Sequence, residues 1–164
     1  MFAGRLLRST KMLVGISIKD VEGGKAAIRR AISLAKPGDK ITALHIPTIV
    51  PEMMLSSMSD PGDASEDTFL ALANLPSKAG ATVQQNIKVA ASEAMREMGK
   101  DVDITYTVTP PAGDVKSSLL HSCKEHGAGL LVLGSGPSGN GSVPVFAAGK
   151  AKGVSVLIVR DHIE

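Results

Sequence analysis

Leu130-Leu-Val-Leu-Gly-Ser-Gly-Pro-Ser-Gly-Asn-Gly-Ser142 joins an apolar run to a loop of glycine and serine. Leu130 to Leu133 is too short for a helix and is bounded by glycine, so it reads as a buried strand. Gly134, Gly136, Gly139 and Gly141 follow, interspersed with Ser135 and Ser138 and closed by Ser142. Gly141-Ser-Val-Pro144 has the marks of a helix start: Ser142 can cap, and Pro144 falls in the first turn, where its missing N–H does no harm. Strand, glycine loop and helix N-terminus in that order suit a phosphate. Bare backbone N–H groups and the positive end of the helix dipole converge there, and glycine lets an anion approach. The same residues also suit a plain surface turn, and the rest of the chain has to separate the two readings.

Outward from this stretch, strand and helix patterns alternate. Upstream, the turn Pro110-Pro-Ala-Gly113 leads to Asp114, a good N-cap for a helix carrying Val115, Leu119, Cys123 and His126. Val102 to Val108 alternates as a third strand, and Val83, Ile87, Ala90, Ala94 and Met98 mark a long helix ended by Gly99. Ile41 to Ile46 is a second strand, ended by Pro47. Met12 to Ile18 is a first strand, apolar almost throughout, as a strand covered on both faces would be. Between these two, Asp20 can cap a helix bearing Ala27, Ile28, Ala31, Ile32 and Ala35, stopped by Lys36-Pro-Gly-Asp39. Downstream of the loop come a short helix from about 143 to 152 and a fifth strand, Val154 to Val159.

Residues 47 to 80 are the least regular part, with four prolines. Met53, Met54 and Met58 there read as a core edge or an interface. The alternation predicts a single-domain α/β fold: a five-stranded, mostly parallel open sheet with helices on both faces. That domain spans 12–164, after a basic lead-in over 1–11. Ligands on such sheets bind beyond the carboxyl ends of the strands, where strand order reverses. The glycine loop leaves the carboxyl end of the fourth strand.

Composition removes several function classes. With 18 basic and 16 acidic residues spread along the chain, the net charge is only +2 and no basic block appears. Three Phe and one Tyr offer no platform on which bases could stack, so nucleic acid is not an expected partner. No apolar run reaches the length of a membrane span, so no membrane is expected either. The single cysteine, Cys123, lies on an apolar helical stripe and reads as a buried structural thiol, which fits a reducing, cytoplasmic location. Residues 1–11 carry three basic residues and no acid, so a short mitochondrial presequence is the alternative to a basic lead-in.

Gly134-Ser-Gly136-Pro-Ser-Gly139 matches the dinucleotide fingerprint, with Asp161 as an acid beyond the next strand, which makes NAD one alternative. That fingerprint normally opens a sheet, however, and here only one strand remains after it. A Walker loop is excluded, because Gly149-Lys150-Ala151 lacks both the hydroxyl and the upstream glycine. His45, His121, His126 and His162 are scattered, and His121 and His126 are not at the spacing that puts two ligands on one helix face. No general base and no nucleophile turn can be named, so a binder is expected rather than an enzyme.

Several stretches, in their order, resemble the universal stress protein family. Met12-Leu-Val-Gly-Ile16 is similar to its first strand, and Ala26 to Ala35 to its first helix. Lys36-Pro-Gly-Asp-Lys-Ile-Thr-Ala-Leu-His-Ile46 resembles its second strand and the turn before it. Gly113 to Ser135 resembles its third helix and fourth strand, and Gly141-Ser-Val with Val154 to Val159 its ending. The resemblance implies a Rossmann-like domain of the adenine nucleotide alpha hydrolase kind, binding ATP or AMP, with Mg²⁺ accompanying ATP. It implies a homodimer paired through Val154 to Val159 and no agreed reaction. Gly15, Ile16, Ser17 and Ile46 would lie around the nucleoside, with His45 beside the adenine or at a core edge. Gly134, Ser135, Gly136, Gly139, Gly141, Ser142 and Val143 would lie around ribose and phosphate.

Two departures from the family pattern stand out. Position 137 is proline where ATP binders carry the second glycine, and the nine-residue spacer after it is shortened. At the end of the first strand Ser17 replaces the usual aspartate, with Asp20 three residues later. Two functions follow: an adenine-nucleotide binder in stress response or signalling, or a nucleotide-free dimeric interaction module of the same fold. An edge strand at 154–159 would favour pairing in either case.

Overall fold

The computed structural model describes residues 9–17, 20–46, 78–109, 114–135 and 142–160. Its elements are β1 (Lys11–Ile16), α1 (Val21–Leu34), β2 (Lys40–His45), α2 (Lys78–Met98) and β3 (Asp103–Val108), then α3 (Val115–Glu125), β4 (Leu130–Gly134), α4 (Ser142–Lys150) and β5 (Ser155–Val159). Residues 1–8 of the basic lead-in expected over 1–11, Ile18 of the expected first strand, the methionines at 53, 54 and 58, the turn at 110–113, the loop at 136–141 and the acid at 161 lie outside the described residues.

All five strands run parallel, in the order β3-β2-β1-β4-β5. Met12 of β1 stands opposite Ile41 of β2 on one side and Leu130 of β4 on the other. Strict alternation sends Met12, Val14 and Ile16 into one core and Leu13 into the other. The unbroken apolar run of β1 is thus explained: both of its faces are covered.

Helices α1 and α2 cover the first face, where Ile28, Ile32 and Ile87 are fully buried among alanines. Helices α3 and α4 cover the second, with Leu119, Cys123 and Ala147 buried. The caps lie where local chemistry places them. Asp20 accepts from the Gly23 N–H at 3.0 Å, and Gly99 ends α2 in the left-handed region with φ +62°.

The last turn of α1 has no basic residue of its own. Lys100 supplies the charge from the end of α2, its Nζ donating to the carbonyls of Ile32 (3.2 Å), Ser33 (2.7 Å) and Ala35 (3.1 Å).

Several boundaries differ from the sequence reading: β1 begins at Lys11, inside the expected basic lead-in, β2 spans Lys40–His45, and β3 and β5 begin one residue later than expected, at Asp103 and Ser155. The helix after the irregular segment reaches back to Lys78, and the last helix runs from Ser142 to Lys150 rather than over 143–152. Ser142 is therefore the first helical residue and not the residue before it. The last helix is apolar on most sides, so no stripe marks its ends. Pro144 does fall in the first turn.

Candidate functional site

A parallel sheet gathers every strand's carboxyl end, and the start of every following helix, at one edge. The chain winds outward from β1 to β2 and β3, then crosses back to β4 and β5. The reversal therefore falls between β1 and β4. Ligands of open α/β sheets sit at that point. A cavity of about 420 Å³ opens there.

Gly15, Ile16 and Ser17 from the end of β1, Ile46 from the end of β2, Gly134 from β4 and Val143 from α4 all line it. Six residues expected from separate parts of the sequence thus meet at one place. Ser135 is not among the lining residues. It is buried, and its N–H donates to the Val159 carbonyl at 2.9 Å, tying β4 to β5. Gly136, Gly139 and Gly141 are outside the described residues, and Ser142 opens α4.

Close packing explains one of the glycines before any ligand is considered and crowds a second. A Cβ on Gly15 would lie 2.5 Å from Leu133 Cδ2. One on Gly134 would lie 2.8 Å from the Cα, C and O of Gly23, in the first turn of α1. Gly134 is glycine because a helix backbone presses on it, and that contact also brings the α1 N-terminus to the cavity.

Three helix starts converge on the cavity, and they differ in charge. Asp20 caps α1, and its own N–H donates to the Ser17 carbonyl at 3.3 Å, which folds the chain from β1 into the helix. Asp114 caps α3, its Oδ1 accepting from the Ser117 N–H at 2.7 Å. That hydrogen bond holds the Asp114 carboxyl below its usual pKa. Asp20 and Asp114 are both lining residues of the cavity. The first turn of α4 has no acid, and Pro144 contributes no N–H there. Lys116, the one lysine or arginine among the described lining residues, holds its Nζ 5.7 Å from the centre of the Phe146 ring.

His45 sits at the β2 end with its Nδ1 3.1 Å from the Ile16 carbonyl. A carbonyl oxygen only accepts, so Nδ1 carries the proton and Nε2 of the neutral ring is an acceptor. Leu44, Ile46, Leu119 and Leu133 form apolar walls. An apolar slot with a few polar groups at its rim suits a flat heterocycle with a charged tail.

Asp114, Lys116 and Leu119 were not expected in the wall. The signal for them was present, since a helix N-cap that follows a parallel strand has to lie at the carboxyl edge. Elsewhere, His121 Nε2 lies 3.2 Å from Glu125 Oε1 on the exposed side of α3. Among the described residues no group of three or more His, Cys, Asp or Glu could hold a metal ion, and no helix is long and apolar enough to cross a membrane.

No protein-family model matches the chain, and no curated protein matches it by sequence. Solved structures do match in shape. A universal stress protein in complex with cAMP has a TM-score of 0.57 at 20% identity, covering 93% of this chain and 97% of its own. A hypothetical protein solved as a test case of structural genomics has a TM-score of 0.64 at 15% identity, covering 94% and 98%. A universal stress protein family protein from Arabidopsis thaliana with AMP bound has a TM-score of 0.55 at 17% identity, covering 93% and 92%. At these identities the likeness concerns architecture, and it extends over nearly the whole chain. The chain has the fold of the universal stress proteins.

Proposed function

We propose that the protein binds an adenine nucleotide in the cavity between the ends of β1 and β4. The observation that carries this reading is the placement of an apolar slot, a ring acceptor at His45 and an acid-free helix start around one cavity at the strand-order reversal. The neighbours solved with cAMP and with AMP support it. The base would lie between Ile46 and Leu119, and the phosphate toward α4. In this reading the protein acts by binding and signalling rather than by turnover. ATP with Mg²⁺ remains a ligand to be tested beside AMP, and NAD serves as the contrasting probe. A cytoplasmic location goes with the single unpaired thiol, Cys123.

The test is thermal unfolding of the purified protein with AMP, ATP plus Mg²⁺, or NAD. Ligand at about 100 times its dissociation constant stabilises by about 2.7 kcal/mol, a shift of several degrees in a domain of this size. The shift is expected with AMP and lost in Val143→Trp, which fills the cavity from the α4 wall. A shift with NAD alone would move the assignment to a dinucleotide. No shift with any nucleotide would leave the interaction module as the reading.

A homodimer through β5 belongs to the same proposal. β5 is an edge of the sheet, and Val156 to Val159 are only half-buried. Ser155 donates to Gly129 of the segment before β4, and the Val159 carbonyl accepts from Ser135. By alternation, Val156 and Ile158 direct their N–H groups to the free edge. Val156→Pro therefore leaves the β4 ladder intact and removes an outward donor. The variant is expected to sediment as a folded monomer where the parent sediments as a dimer, and a dimeric variant would contradict the pairing.

A further inference from the structure

The opposite edge of the sheet carries a second cavity, of about 340 Å³. Helices α3 and α4 end there, and the turns after them lead into β4 and β5. It therefore lies at the amino ends of the strands, away from the cavity at their carboxyl ends. Leu120, Cys123, Ala128, Ala151 and Val154 give it apolar walls. Its charged residues, among the described ones that line it, are Lys124, Lys150 and Lys152, with no acid beside them.

Lys124 and Lys150 stand in the last turns of their helices, where a positive charge offsets the dipole. The dipole does not account for how these lysines are left. At the end of α1, Lys100 is tied to three carbonyls. At the ends of α3 and α4, backbone donors already meet the carbonyls. His126 donates to Ser122, Ala128 to Cys123 and Ala151 to Ala147, each at 2.9 Å. No hydrogen bond or ion pair joins the three ammonium groups to any described residue. Glu125, beside Lys124 in sequence, does not line the cavity, and its Oε1 lies 3.2 Å from His121 Nε2. Lys152 lies beyond the last residue of α4, outside any helical turn.

Three like charges at one cavity repel one another, and an anion placed among them is attracted by each. The lysines are exposed, so each attraction is small and screened by salt. The apolar walls supply the rest for a ligand that has an apolar part, and the volume is that of a small-molecule site. We propose that this cavity binds a small organic anion, a carboxylate or phosphate carried on a short apolar body. The head group lies among Lys124, Lys150 and Lys152, and the body lies against Leu120, Ala128 and Val154.

The test is calorimetric titration of the full chain with hexyl phosphate and hexanoate. Inorganic phosphate serves as the head alone and hexanol as the body alone. Hexyl phosphate is expected to bind more than tenfold more tightly than inorganic phosphate, since each buried methylene contributes about fourfold. Hexanoate is expected to bind as well, because an ammonium is a point charge that takes either head group. Hexanol is expected to bind more weakly than both, and raised salt to weaken the two anions but not hexanol. Lys150→Met or Lys152→Met alone is expected to weaken hexyl phosphate about threefold, and the two together about tenfold. Amide shifts on titration are expected at Gly127, Ala128, Lys152 and Gly153.

No binding of either organic anion would overturn the proposal. Inorganic phosphate binding as tightly as hexyl phosphate would remove the apolar body, and an unchanged affinity in the double variant would remove the lysines. Shifts confined to Gly15, Ser17 and Gly134 would place the anion in the other cavity and overturn the proposal too. AMP titrated before and after saturation with hexyl phosphate is expected to bind equally, so failure here and failure of the nucleotide reading are told apart.

Discussion

The α1/α2 layer and the α3/α4 layer cover the same five strands in different ways. In the first, Ala27, Ala31, Ala90, Ala91 and Ala94 are buried, and these small side chains let two long helices lie close together. Ile28, Ile32 and Ile87 fill what remains. In the second, two shorter helices enclose a smaller core, and the cavity opens beneath their first turns. The cavity opens where this second layer meets the start of α1, with Asp20 and Gly24 on its rim, while the space between α1 and α2 is an outer groove beside Arg29 and Glu93. Ligand sites are commonly drawn from the less consolidated part of a structure.

The largest expected contrast tests that division directly. Ile87→Ala empties a fully enclosed position against Gly24 and should cost about 4 kcal/mol. Leu119→Ala borders an existing cavity and should cost about 2 kcal/mol, with a further loss of nucleotide affinity. Equal losses in equilibrium denaturation would break the comparison.

Next in size is Lys100→Met, which strips the ammonium from three carbonyls at the end of α1. A loss of about 1 to 2 kcal/mol is expected, all of it in the α1/α2 layer, where amide exchange near Ile32 and Ala35 should speed up. Unchanged exchange there would show that the carbonyls are satisfied without the lysine.

Acid titration sharpens the same contrast from the cavity side. The Asp114 pKa is lowered, first by its bond to the Ser117 N–H. The stabilisation is therefore present above the usual aspartate pKa and is lost as pH falls through the lowered value. Asp114→Asn caps without titrating and should flatten that part of the stability curve. A curve parallel to the parent's would assign the acid loss to other groups.

The smallest effect concerns Cys123, which burial pushes up to about 11. A raised thiol pKa contributes stability below its usual value, lost as pH rises through about 11. At pH 8 the native thiol should react with a disulfide reagent more than about 100-fold more slowly than in denaturant. Fast native labelling would mean that the α3/α4 core opens far more readily than its burial indicates.

Much of this molecule is legible in the chain because the relevant forces act between near neighbours. Asp20 and Asp114 announce two helix starts, Gly99 ends a third helix, and the short apolar run at Leu130 predicts a buried strand. Parallel winding alone then brings Ser17, Ile46 and Gly134 to one edge. The ends of α4 were less legible, because a helix apolar on most sides gives periodicity nothing to mark.

Other features depend on contacts between residues far apart in sequence. Periodicity names strands but not their neighbours, so the order β3-β2-β1-β4-β5, and with it the reversal between β1 and β4, comes from how the layers pack. Lys100 reaches carbonyls more than sixty positions away. Gly134 reads in sequence as a phosphate glycine, yet the backbone of Gly23 already requires it. The sequence by itself determined the elements and their caps, through hydrogen bonds that span a few residues. Tertiary structure decided which of those helix starts share the cavity, because that follows from long-range packing.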